Sequence, residues 1–540
     1  MLNYVWLGLI ILGFISALYI DTSDKITNRF KNDVPLSCNI RFNNSNEKTN
    51  KIKVIVSSEN FSKFYSTSVS NDIIVEGKLN AKLSENEYLI SIPSTQNLPK
   101  IWKEMVSSLG KENALTARLK IISNVEEDNY LAKLTISNVE FITLKKITNE
   151  SIKIAGVAVE IAIGLIGIMA MWLGVMKIAE EAGLIKNIAK FIRPLTKKIF
   201  PEVPPNHPAI GSMVMNISAN MLGLGNAATP FGLKAMEELD SLNPNKGTAT
   251  NSMITFLAIN TAGLTLIPAT AIAIRAASGS TNPTIIIGTT IFAAFCATLT
   301  GLLTANLFHI IFDKKKKFNS IIKEHLRGIL ISIFLLISIV LFFILFPASF
   351  LDALVKNGIF NIFKKIVEMI SIIAIPSLIV IFVGYGALKK IKVYEQFVEG
   401  AKEGFNIAIR IIPYLVAMLV AIAIFRAGGA MDNWLIPVLR IFTDLIGMPA
   451  EALPMALMRP LSGSGSLGIM AEIMSVYGPD SFIGILVSTF YGSTETTFYV
   501  LSVYFGAVNI KNTRYALPVG LLADIAGILA ALFIVSLLYG

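Results

Sequence analysis

Two charged residues stand in apolar sequence where a charge needs a reason: Arg459, in Met458-Arg459-Pro460-Leu461-Ser462-Gly463, and Glu495, in Gly492-Ser493-Thr494-Glu495-Thr496-Thr497. A charge near the middle of a bilayer costs on the order of 3 kcal/mol or more unless paired or hydrated, so an intramembrane carboxylate is a functional hypothesis by default. The competing reading is a structural ion pair between Glu495 and Arg459, and a substrate or proton competing for that pair would join the two. Asn226, Asn260, Thr261, Ser466, Ser493 and Thr496 could supply hydrogen bonds to a polar ligand beside Glu495 and Arg459. Their plainer role is to cap broken helices and hold them together, as small and polar residues do in membrane bundles. Asn216, Asn220, Ser462 and Ser464 carry the same two readings more weakly. Asp524 and Glu160 lie about a third of the way into apolar runs, where a structural role and an ion-coupling role are equally open.

Other chemistries lack their residues. His207, His309 and His325 are scattered at segment ends without metal-ligand spacing. Gly463-Ser464-Gly465-Ser466 lacks the Lys-Ser/Thr that follows a phosphate-binding loop. A membrane hydrolase would need a His or Lys base at a matching depth, so neither an enzyme nor a cofactor is expected. Cys38 and Cys296 are the two cysteines, one in polar and one in apolar sequence, which offers no disulfide framework and no cysteine metal cluster.

The elements that must position these residues follow from composition. Of 540 residues 53% are hydrophobic and 16% charged, well under the quarter usual in soluble proteins. Residues 21–150 hold 18 Lys/Arg and 16 Asp/Glu, so most of the net charge of +10 lies elsewhere, between apolar stretches. That pattern marks loops at a membrane surface, and no nucleic acid is expected as partner. A membrane-spanning helix needs roughly 20 apolar residues, and the runs long enough are 3–20, 153–174, 252–275, 284–311, 328–348, 366–386, 405–426, 483–506 and 515–539. The first has no basic residue before it and no cleavage site after it, so it is taken as a retained anchor. With the N-terminus inside, the segments Lys177–Pro201, Lys234–Lys246, Asp313–Arg327, Lys389–Lys402 and Lys511–Arg514 are cytoplasmic and hold 20 Lys/Arg. Residues 21–150 then lie outside. Their β-forming stretches, such as Lys51-Ile52-Lys53-Val54-Ile55-Val56, between Asn- and Ser-rich turns predict a small β-rich or α+β domain, with a partly disordered spacer as the alternative.

Two apolar stretches are too interrupted to be ordinary spans. His207 to Leu239 reads as helix, break at Gly223-Leu224-Gly225-Asn226, and a second helix opened by Thr229-Pro230. Pro449 to Met474 breaks in the same way at Arg459 to Ser466. Each half reaches the bilayer middle without crossing it, which predicts two re-entrant hairpins, and non-helical backbone at that depth survives only in protein or beside an aqueous cavity. Spans 252–275 and 483–506 also break, at Asn260-Thr261-Ala262-Gly263 and Gly492-Ser493-Thr494-Glu495. The matching positions define an internal repeat, 153–311 against 405–539, and the topology makes it inverted. Paired broken helices in inverted repeats are the pattern of secondary transporters.

The motifs also carry a resemblance. The first half, through Trp172-Leu173-Gly174-Val175-Met176-Lys177, the stretch Asn220 to Met236 and Ser252 to Thr261, resembles the spore maturation protein A family. The second half resembles the spore maturation protein B family through Gly400-Ala401-Lys402-Glu403-Gly404, Met458 to Gly463, Gly492 to Thr497 and Tyr504-Phe505-Gly506-Ala507-Val508. The resemblance covers residues 1–20 and about 150–540; residues 21–150 depart from it. It implies a gate, or nucleoside-recognition, domain in each half, similar to the halves of concentrative nucleoside transporters, and a family label concerned with spore core dehydration. The expected architecture is a mostly α, polytopic membrane protein of about nine transmembrane helices, two re-entrant hairpins and the extracytoplasmic insert. It divides into a first helix (1–20), the insert (21–150), a first gate repeat (151–311), two linking helices with cytoplasmic segments (312–404) and a second gate repeat (405–540). The expected function is transport or binding of a small polar solute, nucleoside-like or an organic anion, at the cytoplasmic (inner) membrane. The lipid bilayer, a coupling ion, a homo-oligomeric copy and an envelope component held by the insert are the other expected partners. The rival is a non-transporting platform for spore or envelope maturation whose outer domain binds a partner.

Overall fold

The computed structural model describes residues 2–42, 51–94, 97–107, 114–126, 129–223, 228–312 and 359–540. Two compact units emerge: residues 3–154 with 420–435, and residues 155–419 with 436–540.

The first unit opens with α1 (Leu2–Ile26), followed by a six-stranded barrel. Its elements are β1 (Leu36–Phe42), β2 (Lys51–Val56), α2 (Ser58–Tyr65), β3 (Ile73–Ser84), β4 (Glu87–Pro93), α3 (Lys100–Ser107), β5 (Ala114–Glu126) and β6 (Asn129–Ile136). Every strand pairs antiparallel with its sequence neighbour, and β1 closes on β6 with Leu36 opposite Leu134. Closure leaves no bare strand edge to template pairing with other chains. The alternation seen in the sequence puts Ile52, Val54 and Val56 of β2 inside and Lys51 and Lys53 outside. The interior is filled by Ile40, Ile90, Ile92, Leu115 and Leu119, with Phe61 from α2 and Trp102 from α3 in the same core. Trp102, fully buried, donates its indole N–H to Tyr65 Oη at 3.2 Å, which removes the cost of burying both polar ends. Burial among these side chains pushes the Cys38 thiol up to about 12, so it packs as an apolar residue and not as a nucleophile. The β-rich expectation thus holds, as a closed barrel over Leu36–Ile136; the spacer alternative does not describe these residues.

The chain leaves the barrel through α4 (Ile142–Glu181), whose first residues belong to the same unit. Buried Asp21 of α1 accepts the backbone N–H groups of Thr143 at 2.9 Å and Leu144 at 3.0 Å. A carboxylate at this position satisfies two of the four free amides of a helix start and matches its dipole.

The second unit continues α4 and adds the amphipathic α5 (Leu184–Ile199), with α6 (Pro208–Met221) and α7 (Thr229–Ser241) as a helical pair. Then come α8 (Asn251–Ala262), α9 (Ala269–Ala277) and the long α10 (Ile286–Phe312). After 359 follow α11 (Ile359–Leu388), α12 (Val393–Ala427), α13 (Ile436–Thr443), the short α14 (Leu453–Met458), α15 (Gly463–Tyr477), α16 (Phe482–Ser493), α17 (Thr497–Ala507) and α18 (Ala516–Tyr539). The order helix pair, broken helix, long helix therefore occurs twice, as α6–α10 and as α14–α18. The packing respects the exchange of the two sets: α8 lies against α10 and α18, α16 against α18 and α10, and α10 against α18.

Six helices among the described residues are long and apolar enough to cross a membrane, and the chain is a multi-pass membrane protein. Two of the nine expected spans, 252–275 and 483–506, are each two helices with a break between them. The span 328–348 and the Lys314–Lys317 run lie outside the described residues. Within the basic segment Lys177–Pro201, residues Leu184–Ile199 form a helix because apolar residues recur at helical spacing and bury Ile185 and Ile192.

Close helix contact in this unit depends on glycine. A Cβ at Gly404 of α12 would stand 2.6 Å from the Ala170 backbone N and the Met169 carbonyl of α4, whereas one at Gly167 of α4 would meet nothing within 4 Å. Small residues four apart, here Gly400 and Gly404, let two backbones approach in this way. Gly404→Ala should lower stability by about 1–3 kcal/mol through overpacking. Gly167→Ala should be neutral or slightly stabilising, because alanine is the better helix former. Unfolding midpoints of the two purified variants in one detergent check the contrast.

Candidate functional site

The site is built where four helix interruptions meet within the second unit. α8 ends because Gly263 turns left-handed (φ 57°), a conformation open to glycine at little cost. Gly263 has a second reason to be glycine, since a Cβ there would lie 3.1 Å from Glu495 Cγ and 3.2 Å from the Glu495 backbone N. The two broken helices touch at this point: Glu495 N–H donates to the Thr261 carbonyl at 2.8 Å. Met221, at the end of α6, accepts the Leu266 N–H at 2.9 Å, which ties the first hairpin to the break after α8. On the other side the Phe498 N–H, in the first turn of α17, donates to the Pro460 carbonyl at 3.1 Å, which ties the second hairpin to the break after α16.

Arg459 is the centre of that second junction. Its side chain is 4% exposed, and its guanidinium donates to the Thr494 carbonyl at the end of α16. The same group stands 3.6 Å from the Glu495 carboxylate and 4.3 Å from the centroid of the Tyr491 ring. A cation at a helix C-terminus offsets its partial negative charge, and stacking on tyrosine adds a further contact for it. Its Nε has no partner among the described residues. The Glu495 side chain is 48% exposed, so the carboxylate is the open half of the pair and the arginine the packed half.

The remaining candidate residues divide by what their polar atoms already do. Asn260 is buried and engaged on every side: it accepts from Asn220 at 2.9 Å and from Tyr504 Oη at 3.3 Å, and donates to the Phe256 carbonyl at 2.9 Å. Asn216, also buried, donates to the Ala228 carbonyl and to Tyr504, so Tyr504 of α17 links both asparagines. Ser466 donates to the Gly463 carbonyl within the first turn of α15, while Ser462 caps that helix by accepting the Gly465 N–H. Ser493 is buried and donates back to Phe490 at 3.4 Å. Thr496 lies at the start of α17, close enough that a Cβ on Gly463 would be 3.0 Å from its Oγ1. Thr261 is fully buried, and its Oγ1 has no partner among the described residues. Asn226 lies outside the described residues. The structure therefore gathers Thr261, Arg459, Ser493, Glu495 and Thr496 around one junction, with Asn260 in the adjoining hydrogen-bond network. Tyr491, Thr494 and Tyr504 belong to this surrounding as well. Sequence reasoning passed over them because an aromatic residue at helical spacing and a backbone carbonyl carry no signal of their own.

A pocket of about 570 Å³ lies away from this junction, at the N-terminal end of α8. Its walls include Glu202, Asn251, His309 and Arg514. Its polar groups are largely paired with one another: Asn251 donates to Glu202 at 2.8 Å and accepts from Arg514 at 2.9 Å.

Broken-helix pairs meeting at a half-exposed ion pair, in a chain with several membrane-crossing helices, define a polytopic membrane protein with a transporter-like centre. The Gate family, described as nucleoside recognition, matches residues 162–278. Spore maturation protein B of Bacillus subtilis (strain 168) is 53% identical over 176 residues, a third of this chain and 98% of that protein. Spore maturation protein A of the same organism is 45% identical over 175 residues, 32% of this chain and 88% of that protein. The chain belongs to the spore maturation A and B families, carried in one polypeptide as a fusion of the two. No solved structure matches.

Proposed function

We propose that the protein moves or binds a small polar solute at the junction of the four breaks, as a secondary transporter or channel-like permease, and catalyses no reaction. The observation that carries this reading is the pairing of Glu495 with Arg459 at backbone interruptions contributed by both halves. In membrane transporters discontinuous helices place free backbone groups and helix ends at a binding site, and the protein around them tolerates the interruption. The half-exposed Glu495 and the buried Arg459 suit a solute that carries hydroxyl or amide groups, such as a nucleoside-like molecule, or an anion that displaces Glu495 from Arg459. Buried Ser493 and Thr496 would flank the carboxylate, with Thr261, Asn260 and Ser466 supporting the junction behind them. The exchange symmetry in the packing of α8, α10, α16 and α18 supports two repeats, and the distribution of Lys and Arg between the apolar runs is what would relate them by inversion in the cytoplasmic membrane. In that arrangement the N-terminus is inside, the barrel outside, and a coupling ion accompanies the solute.

The test is a panel of nucleosides, nucleobases and small organic anions added to the purified protein, with the thermal midpoint as readout. A solute present at 100 times its dissociation constant should stabilise by about 2.7 kcal/mol. Glu495→Gln should fold with an unchanged midpoint and lose the response. A panel in which nothing stabilises the wild type, or in which the Gln variant responds equally, sinks the site and favours a platform whose barrel binds an envelope component.

A further inference from the structure

Asp524 of α18 is a carboxyl group that the Glu495–Arg459 site does not use. It is 1% exposed; Oδ2 accepts from Thr497 Oγ1 at 2.5 Å, and Oδ1 is buried with no partner among the described residues. Its place on the helix is set by two glycines on the same face, Gly520 one turn before and Gly527 one turn after. A Cβ at Gly520 would stand 2.8 Å from Thr497 Cγ2 and 3.4 Å from Thr261 Cγ2. One at Gly527 would stand 2.7 Å from Thr494 Cγ2 and 3.8 Å from the Ser493 carbonyl. The bare face of α18 thus admits the end of α8, the end of α16 and the start of α17, and Asp524 lies between the glycines that admit them. Thr261, which α8 brings there, has the second buried and unpartnered oxygen, Oγ1.

An ionised carboxylate buried with one neutral donor is strongly disfavoured unless a cation joins it. The helices packed on α18 supply none at this depth. α8, α16 and α17 carry no charged residue, and the titratable groups of α10 are Cys296 and His309, the latter near its far end. The neighbouring charges are Glu495 and Arg459, and Arg459 is committed to the Thr494 carbonyl and to Glu495.

We propose that Asp524 is the seat of a small monovalent cation, taken either as a proton on the carboxyl or as a sodium ion with oxygen ligands from Asp524, Thr261 and Thr497. The cation site and the solute site share backbone: the Thr261 carbonyl holds the Glu495 N–H, and Thr497 follows Glu495 by two residues. Filling one therefore biases the geometry of the other, which is the physical requirement for ion coupling. This deepens the transporter reading by giving its coupling ion a place, but cation binding is measurable without any solute and stands or falls separately.

The experiment uses the full-length protein in detergent. Thermal midpoints are compared in sodium chloride and in choline chloride of equal ionic strength, at pH 6 and pH 8, for wild type, Asp524→Asn and Thr261→Val. The wild-type midpoint should rise at pH 8 when sodium replaces choline, which identifies sodium, or rise in choline on acidification with no sodium effect, which identifies the proton. Asp524→Asn should abolish whichever response is seen. Thr261→Val should raise the sodium concentration needed at least tenfold in the sodium case and change nothing in the proton case. If Asp524→Asn does not fold, Thr497→Val, which removes the hydrogen bond to Asp524, should shift the concentration or pH of half-response by tenfold or one unit. A wild type insensitive to both cations, or variants at Asp524 and Thr497 that respond like it, overturns the proposal.

Discussion

Arg275→Met should destabilise the membrane unit by about 3–5 kcal/mol, because several buried acceptors lose their donor at about 1–3 kcal/mol each. The Arg275 side chain is fully buried at the end of α9, and its guanidinium holds a loop from the other half of the unit. It donates to the Pro479 carbonyl at 2.6 Å, to Ser488 at 3.1 Å, to Ser280 at 3.1 Å and to Asp480 at 2.8 Å. Asp480 also accepts from the Thr281 backbone N–H at 2.7 Å and the Thr281 hydroxyl at 2.8 Å. Methionine fills a similar volume but leaves these groups unpaired around an apolar side chain, and lysine cannot reproduce the fork that reaches several of them. The variant Asp480→Asn should cost less, since the Asp480 carboxylate is 37% exposed and keeps water. The double variant should be less unstable than the sum, because both changes break one network. Additive costs measured by unfolding in detergent would contradict the network.

The same contacts give a pH dependence of known sign. Burial alone raises the Asp480 carboxyl, but hydrogen bonds from Ser280 and Thr281 and the Arg275 charge outweigh it and hold the group below the ordinary aspartate range. On acidification the unfolded chain takes up this proton first. The stability Asp480 contributes is present above about pH 3.9, the ordinary aspartate value, and is lost as the pH falls through the lower folded value. Asp480→Asn should remove that part of the acid limb and leave the neutral-pH limb in place.

The second large effect is expected at Arg459. Arg459→Met should abolish binding of any anionic or hydrogen-bonding solute at the junction and cost about 1–3 kcal/mol of stability, for the Thr494 carbonyl left without its donor. The cost is smaller than at Arg275 because Arg459 serves one carbonyl where Arg275 serves several acceptors, and the half-exposed Glu495 regains hydration when freed. Arg459→Lys should recover part of the stability and little of the binding, since one ammonium cannot span the Thr494 carbonyl, Glu495 and the Tyr491 face as a planar guanidinium does. Calorimetric titration of a solute found by thermal shift separates the two outcomes: unchanged affinity in the Met variant would remove Arg459 from the site.

The amino-acid sequence by itself determined the features that depend on local composition. Runs of about 20 apolar residues can only be satisfied by helices in lipid, so the membrane helices were legible, and so were the breaks, because Gly263 and Arg459-Pro460 disfavour a continuing helix and Thr229-Pro230 favours the start of a new one. The alternation of Ile52, Val54 and Val56 with lysines marked a strand with one buried face. Its pattern could not say that six such strands close into a barrel, because closure is fixed by the pairing of β1 with β6, nearly the whole insert apart. The same limit applied at the site. Glu495 and Arg459 stood out because a charge in apolar sequence is visible alone, and their pairing could be guessed. That Asn260 is spent on Asn220 and Tyr504, that buried Arg275 anchors Asp480 two hundred residues away, and that Gly520 and Gly527 deliver Asp524 to both broken helices are decided by tertiary contact. Such contacts turn on which atoms remain unpaired after packing, a quantity that no single segment carries.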